Sequence, residues 1–167
     1  RHTVRAIQWG EALGGWTPLD PKHIFEVEYW ELEQAKLKRG GSSPPMQGRV
    51  ALVTGAQHGI GAAVAKALRA EGAAVCALDL DPQVERTYAG VDSLGVLCDV
   101  TDSDAVNAAI NACVERFGGL DIVVTNAGNF PLSQPLDTIE DGDWERSVSL
   151  NLTSHMKVLR AATPFLK

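Results

Sequence analysis

Cysteine, aromatic residues and long apolar runs are all scarce in this chain of 167 residues. Its three cysteines, Cys76, Cys98 and Cys113, are an odd number without metal-ligand spacing, and each sits in an apolar run where a thiol packs as a small hydrophobe. That speaks against a disulfide framework or a cysteine-ligated metal, and the expected setting is reducing and cytoplasmic. No stretch approaches the roughly 18 apolar residues of a membrane span, and residues 1–10 lack the apolar core of a secretory signal. Neither a membrane partner nor a targeting segment is expected. Positive charge is in deficit as well, with 15 Lys and Arg against 21 Asp and Glu, a net −6. A chain of that sign repels polyphosphate backbones, so nucleic acid is not an expected partner. Residues 1–47 carry six charges of each sign, which leaves the whole acidic excess to the remainder. An initiating methionine is missing too, and the chain stops at Lys167 just after a helical pattern; the expectation is a piece of a longer polypeptide.

What is present is the composition of an ordinary globular domain, 45% hydrophobic and 22% charged. The run Gly40-Gly41-Ser42-Ser43-Pro44-Pro45 joins flexible and stiff residues as linkers do. It separates a tail, residues 1–47, from a main body, residues 48–167. In the tail, Asp20 can cap a helix with Pro21 at its first position, and Ile24, Phe25, Val27, Trp30, Leu32 and Leu37 give that helix a broad apolar surface running to Arg39. Some forty residues is near the limit for burying a core alone, so the tail is expected to complete a larger domain.

Beyond the linker, β-branched and aliphatic runs alternate with helical periods, the pattern of βαβ units and a parallel sheet. Four strands are expected, over 50–54, 73–79, 94–98 and 120–125, each nearly all apolar as strands covered on both faces are. Ile60, Val64, Ala67 and Leu68 share a helix face that Gly72 can close. Thr101 can cap the next helix, with Asp104 three residues on and Val106, Ala109, Ile110, Cys113 and Phe117 at helical spacing up to Gly118. A last helix is expected over 140–162, with Trp144, Val148, Asn151, Leu152, His155 and Leu159 along one side. The fold class is α/β, a doubly wound parallel sheet that is incomplete at about four strands and preceded by a helical tail.

The chemistry is written after the first strand. Val50-Ala51-Leu52-Val53-Thr54 runs into Gly55-Ala56-Gln57-His58-Gly59-Ile60-Gly61 and then a helix, which sets unhindered amides and a helix N-terminus where a diphosphate can sit. Glycine suits these positions because a Cβ would hold the diphosphate off or block the turn. Asp79 ends the second strand some twenty residues on, where a carboxylate accepts bonds from a ribose 2′-hydroxyl and repels a 2′-phosphate. The loop matches the TGxxxGIG of the short-chain dehydrogenase/reductase family at Thr54, Gly55, Gly59, Ile60 and Gly61, and the main body resembles that family over about residues 48–167. The resemblance implies a Rossmann-type fold and a nicotinamide cofactor held by Gly55, Gln57, His58, Gly59, Ile60, Gly61, Asp79 and Leu80. It also assigns Asp99 and Val100 to the adenine. Thr125-Asn126-Ala127-Gly128 resembles the family's NNAG, with Asn126 bracing the sheet and Ala127 and Gly128 letting the cofactor approach. Asp79 favours NAD over NADP; His58 stands where NADP-using members often carry a basic residue, but a neutral imidazole is a poor substitute for one.

Asn151, an amide set among apolar residues, needs partners there, and by resemblance it is the asparagine of the family's catalytic tetrad, holding a water of the proton relay. The tyrosine and lysine of that tetrad are absent: Tyr29 is followed at the Tyr-x-x-x-Lys spacing by Glu33, and Tyr88 by Asp92. The chain is therefore expected to hold the adenosine and diphosphate half of a site whose reacting half lies elsewhere. Alone, it would not turn over a small-molecule substrate. A non-catalytic NAD-binding or scaffold module is the alternative. The fourth strand is expected to present an unpaired edge prone to self-association, and the resemblance implies a homo-oligomeric parent. In the tail, Ala12-Leu13-Gly14-Gly15 and the run from Ile24 to Leu37 resemble the segment that joins a class II aldolase domain to a short-chain dehydrogenase in bifunctional proteins, relatives linked with rhamnulose-1-phosphate cleavage and lactaldehyde oxidation. His2 and His23 stand alone, so no metal site is expected.

Overall fold

The computed structural model describes residues 43–130 and 133–166 and, before them, residues 10, 12–15, 17, 20 and 23. The chain divides into two compact units, Arg1–Pro44 and Pro45–Lys167. The tail helix expected up to Arg39 lies, apart from Asp20 and His23, outside the described residues.

In the second unit the elements run β1 (Val50–Thr54), α1 (Gly59–Ala70), β2 (Ala74–Asp79), α2 (Val84–Thr87), β3 (Ser93–Leu97), α3 (Ser103–Phe117), β4 (Ile122–Val124), α4 (Asp141–Val148) and α5 (Ser154–Ala162). A π-helical turn, Ser149–Thr153, joins the last two, and a 3₁₀ turn, Thr163–Phe165, follows them. The four strands form one parallel sheet in the order β3-β2-β1-β4. In register, Leu52 of β1 stands beside Cys76 of β2 on one side and Val123 of β4 on the other. β1 is buried throughout because it is paired on both edges and covered on both faces.

Alternation along the strands sorts the core into two layers. Leu52, Cys76 and Leu78 pack with Val106, Ile110 and Cys113 of α3 and Val158 and Ala162 of α5. Ala51, Val53, Val75 and Ala77 face the other way, toward Ala65 of α1, Val84 of α2 and Tyr88. Gly72, with φ +93°, ends α1: its N–H reaches Arg69 O at 2.9 Å and that of Ala73 reaches Leu68 O at 3.0 Å, the double closure of a Schellman motif. Asp121 fastens the entry of β4 to that of β1, with Oδ2 accepting from Val50 N at 2.9 Å and Oδ1 from Arg49 at 3.0 Å.

Three local expectations are corrected. The cap of α3 is Asp102, whose carboxylate accepts from Asp104 N at 2.9 Å; Thr101 is turned instead to Asp99. The fourth strand is shorter than 120–125, because Asp121 spends its side chain on Val50 N and Leu120 meets Leu166 in an isolated parallel bridge. The long helix over 140–162 is interrupted by the π turn, and its packed side carries Ser154, Val158 and Ala162, while Trp144, Leu152 and Leu159 are exposed. A π turn admits an extra residue per turn, so a face read at 3.6 residues per turn does not carry through it. Among the described residues, no helix is long and apolar enough to cross a membrane.

Candidate functional site

The loop between β1 and α1 is held from three sides. Asn126 donates through Nδ2 to Thr54 O (3.0 Å) and Gly55 O (3.1 Å), and the Thr54 hydroxyl accepts from the N–H groups of Asn126 (2.9 Å) and Ala127 (3.0 Å). Tyr88 donates its hydroxyl to Ala56 O at 2.7 Å. Burial pushes the Tyr88 phenol above its ordinary range, which keeps the donor protonated. Gln57 N donates to Asp79 Oδ2 at 2.8 Å, while Asp81 N donates to Asp79 Oδ1 at 3.0 Å.

These ties present the N-terminus of the twelve-residue α1 without a plug. His58, its N-cap, is extended and makes no side-chain cap bond, and the first turn carries no acidic residue. The leading N–H groups and the positive end of the helix dipole are thus left to an incoming anion. Gly61 allows this closeness: a Cβ there would stand 2.0 Å from Gly55 O. Gly59 has φ +55°, and a Cβ on it would meet nothing within 4 Å, so the position is open toward solvent and ligand.

Of the residues singled out in the sequence, Gly55, His58, Gly59, Ile60, Asp79, Leu80, Asp99, Val100, Asn126, Ala127, Gly128 and Asn151 line one cavity of about 640 Å³. Gln57 and Gly61 do not line it; one ties the loop to Asp79 through its backbone and the other lets the helix close on β1. Gln57 Oε1 is buried with no hydrogen-bond partner among the described residues. Asp99 folds its Oδ1 back onto Thr101 N and the Thr101 hydroxyl, at 2.8 and 2.7 Å. Ile60 and Leu80 remain 76% and 68% exposed, giving the cavity apolar lips suited to flat rings.

Asn151 sits in the π turn, exposed rather than enclosed by apolar neighbours. Its Oδ1 accepts from Asn129 N at 3.0 Å and its Nδ2 donates to Ser147 at 3.3 Å, so it ties the turn to the segment after β4. Asn129, Phe130 and Leu150 also line the cavity, as does His155, which the sequence places on the same helix side as Asn151. Position was the available signal: each adjoins a motif or, for His155, lies four residues past Asn151. Tyr29 lies outside the described residues, and Tyr88 is committed to Ala56.

A parallel sheet covered on both faces, with a glycine loop feeding an uncapped helix at the carboxyl ends of its strands, defines a Rossmann-type nucleotide-binding fold. The chain belongs to the short chain dehydrogenase family, whose model matches residues 49–167. A second model, the second domain of class II aldolases, matches residues 1–37. The uncharacterized oxidoreductase YuxG of Bacillus subtilis is 30% identical over the whole chain, which spans 25% of that protein. Galactitol 2-dehydrogenase of Agrobacterium fabrum is 38% identical over 71% of the chain, against 47% of its own length. Among solved structures, a 3-ketoacyl-(acyl-carrier-protein) reductase of Brucella melitensis complexed with NADH is 33% identical, with TM-score 0.69 over 72% of this chain and 51% of that one. The chain thus spans between a quarter and about half of the relatives it matches.

Proposed function

We propose that residues 48–167 are the cofactor-binding portion of an NAD-dependent short-chain dehydrogenase, and residues 1–47 the end of an aldolase-type domain in the same polypeptide. The observation that carries this is the uncapped, acid-free first turn of α1 opening on the cavity that Asp79 also lines. The diphosphate would sit at Gly59 and Ile60, and the adenosine between Leu80, Asp99 and Val100. The nicotinamide end would lie toward Asn126, Ala127, Gly128 and Asn151. Asp79 has one backbone N–H on each oxygen and keeps lone pairs for ribose hydroxyls, whereas a 2′-phosphate would meet its charge.

When bound, the nicotinamide ring supplies the hydride exchange with a hydroxyl or carbonyl carbon of a small substrate. The residues here hold and orient; Asn151 would place a water for proton transfer, and the proton-transferring tyrosine and its lysine are to be contributed from outside this chain. By itself the chain binds without turning over. Oxidoreductase relatives that act on hydroxyl compounds, galactitol 2-dehydrogenase among them, support that substrate class, and lactaldehyde is the particular candidate drawn from the tail's resemblance. A cytoplasmic parent that forms a homo-oligomer completes the proposal.

Calorimetric titration with NAD and, separately, NADP tests it. NAD binding with a clear preference, lost in Asp79→Ala, is the expected result. Equal binding of both, or no effect of Asp79→Ala, would overturn the assignment of NAD. The alternative reading is a non-catalytic NAD-binding or scaffold module. A reading frame with no Tyr-x-x-x-Lys after Lys167 would select it.

A further inference from the structure

The glycine loop and the turn after β2 are joined at two neighbouring points. The inner tie is Gln57 N to Asp79; the outer is His58 Nε2 to Asp81 Oδ2 at 3.2 Å. Asp81 is fixed for this contact, since its Oδ1 accepts from Gln83 N at 2.8 Å and its own N–H is held by Asp79. The Asp81 side chain is 30% exposed and that of His58 76%, so the imidazole is pinned at one end while the rest of it stands at the cavity wall.

That arrangement bears on which dinucleotide is accepted. Among the cavity-lining residues, His58 and His155 are those able to carry positive charge. His58 is the one on the loop that touches Asp79, where a 2′-phosphate would arrive. An imidazolium free to turn inward would offset the charge of Asp79 and admit that phosphate. We propose that Asp81 is a positioning residue for cofactor selection: it draws His58 onto the outer side of the turn and adds a second negative charge, so that a basic residue in the glycine loop does not recruit a 2′-phosphate. The inference rests on the dinucleotide assignment made above and extends it from Asp79 to a neighbour that need not touch the cofactor. The Gln83 N–H, and less strongly His58, hold the Asp81 carboxyl below its usual range.

The test is a double-mutant cycle on the full-length protein, with dissociation constants for NAD and NADP measured by calorimetry at pH 6.0, where an ordinary imidazole is largely protonated. Asp81→Asn keeps an oxygen for Gln83 N and removes only the charge. It should tighten NADP relative to NAD by about fivefold, the scale of one exposed ion pair. His58→Ala alone should leave the ratio nearly unchanged, and His58→Ala with Asp81→Asn should cancel most of the gain. A ratio unmoved by Asp81→Asn, or a gain that survives intact in the double variant, would overturn the capture of His58. Failure of the unsubstituted protein to bind NAD would instead overturn the dinucleotide assignment, and this inference with it.

Discussion

The two faces of the sheet are built to different scales. Toward α3 and α5 the strands present Leu52 and Leu78, met by Ile110, Val106 and Val158, with three thiols filling the gaps between them. Toward α1 and α2 they present the buried Ala51, Ala77, Val53 and Val75, with neither leucine nor isoleucine among them, met by Ala65, Val84 and Tyr88. On that side backbones nearly touch: a Cβ on Gly95 would stand 2.0 Å from Val84 O, as one on Gly61 would from Gly55 O. The difference is set by the site. α1 must bring its N-terminus to the end of β1, and small residues let it do so, while the opposite face is free to gain stability from bulk.

If that contrast holds, the faces should fail under opposite substitutions. On the bulky face, shrinking does the harm: Ile110→Ala should cost about 4 kcal/mol by urea denaturation, the loss expected for a buried aliphatic that leaves a cavity. On the small face, growth does the harm. Gly61→Ala should cost about 3 kcal/mol by overpacking against Gly55 O. Gly59→Ala, which meets no neighbour, should cost only about 1 kcal/mol of backbone strain in the same measurement. Equal losses at the two glycines would dissolve the argument from close approach.

Two smaller effects sharpen the same comparison. Tyr88→Phe removes the hydroxyl that pins Ala56 O and should lower stability by about 1 kcal/mol, with faster amide exchange in residues 55–58. The thiols report on the bulky face, where burial pushes Cys98 up to about 11, with Asp99 and Asp102 adding to the shift. A folded-state value above the unfolded one means this contribution is fully present below the ordinary thiol range and lost as pH rises through about 11. Alkaline titration followed by circular dichroism should therefore show loosening from about pH 9 upward, reduced but not abolished in Cys98→Ala because Cys76 and Tyr88 are shifted in the same direction. Cys76, its pKa raised chiefly by its contact with Cys113 and then by burial, should resist alkylation at pH 8 until the protein is unfolded.

Much of this was legible in the residues. β1 and β2 read directly, because strands covered on both faces are continuous apolar runs, and the glycine spacing after Thr54 announced the uncapped helix. The rest failed for local reasons. Leu120 leads toward the apolar run of β4, yet the Asp121 carboxylate is taken by Val50 N and the ladder begins only at Ile122. Asp102 outcompeted Thr101 as cap because Asp99 offered Thr101 an earlier partner. Trp144, Leu152 and Leu159 read as one side of a single helix at 3.6 residues per turn, a register that the π turn breaks, and all three are exposed. The cavity walls supplied by Asn129, Phe130 and Leu150 follow from that same turn and from the segment after β4, neither of which has a compositional signature.

The clasp of Asp121 on Val50 also fixes an order of events as the chain is made. Its two ends lie 71 residues apart in sequence, whereas β1 and β2 are separated by one helix. Loop closure favours the nearer partner, so β1 and β2 join first during synthesis. β1, the most deeply buried strand of the finished molecule, then waits with one bare edge until residue 124 has emerged. The arrival of β4 is then the expected slow step in refolding, and removal of Asp121 should retard that step more than it lowers final stability, as stopped-flow refolding would show.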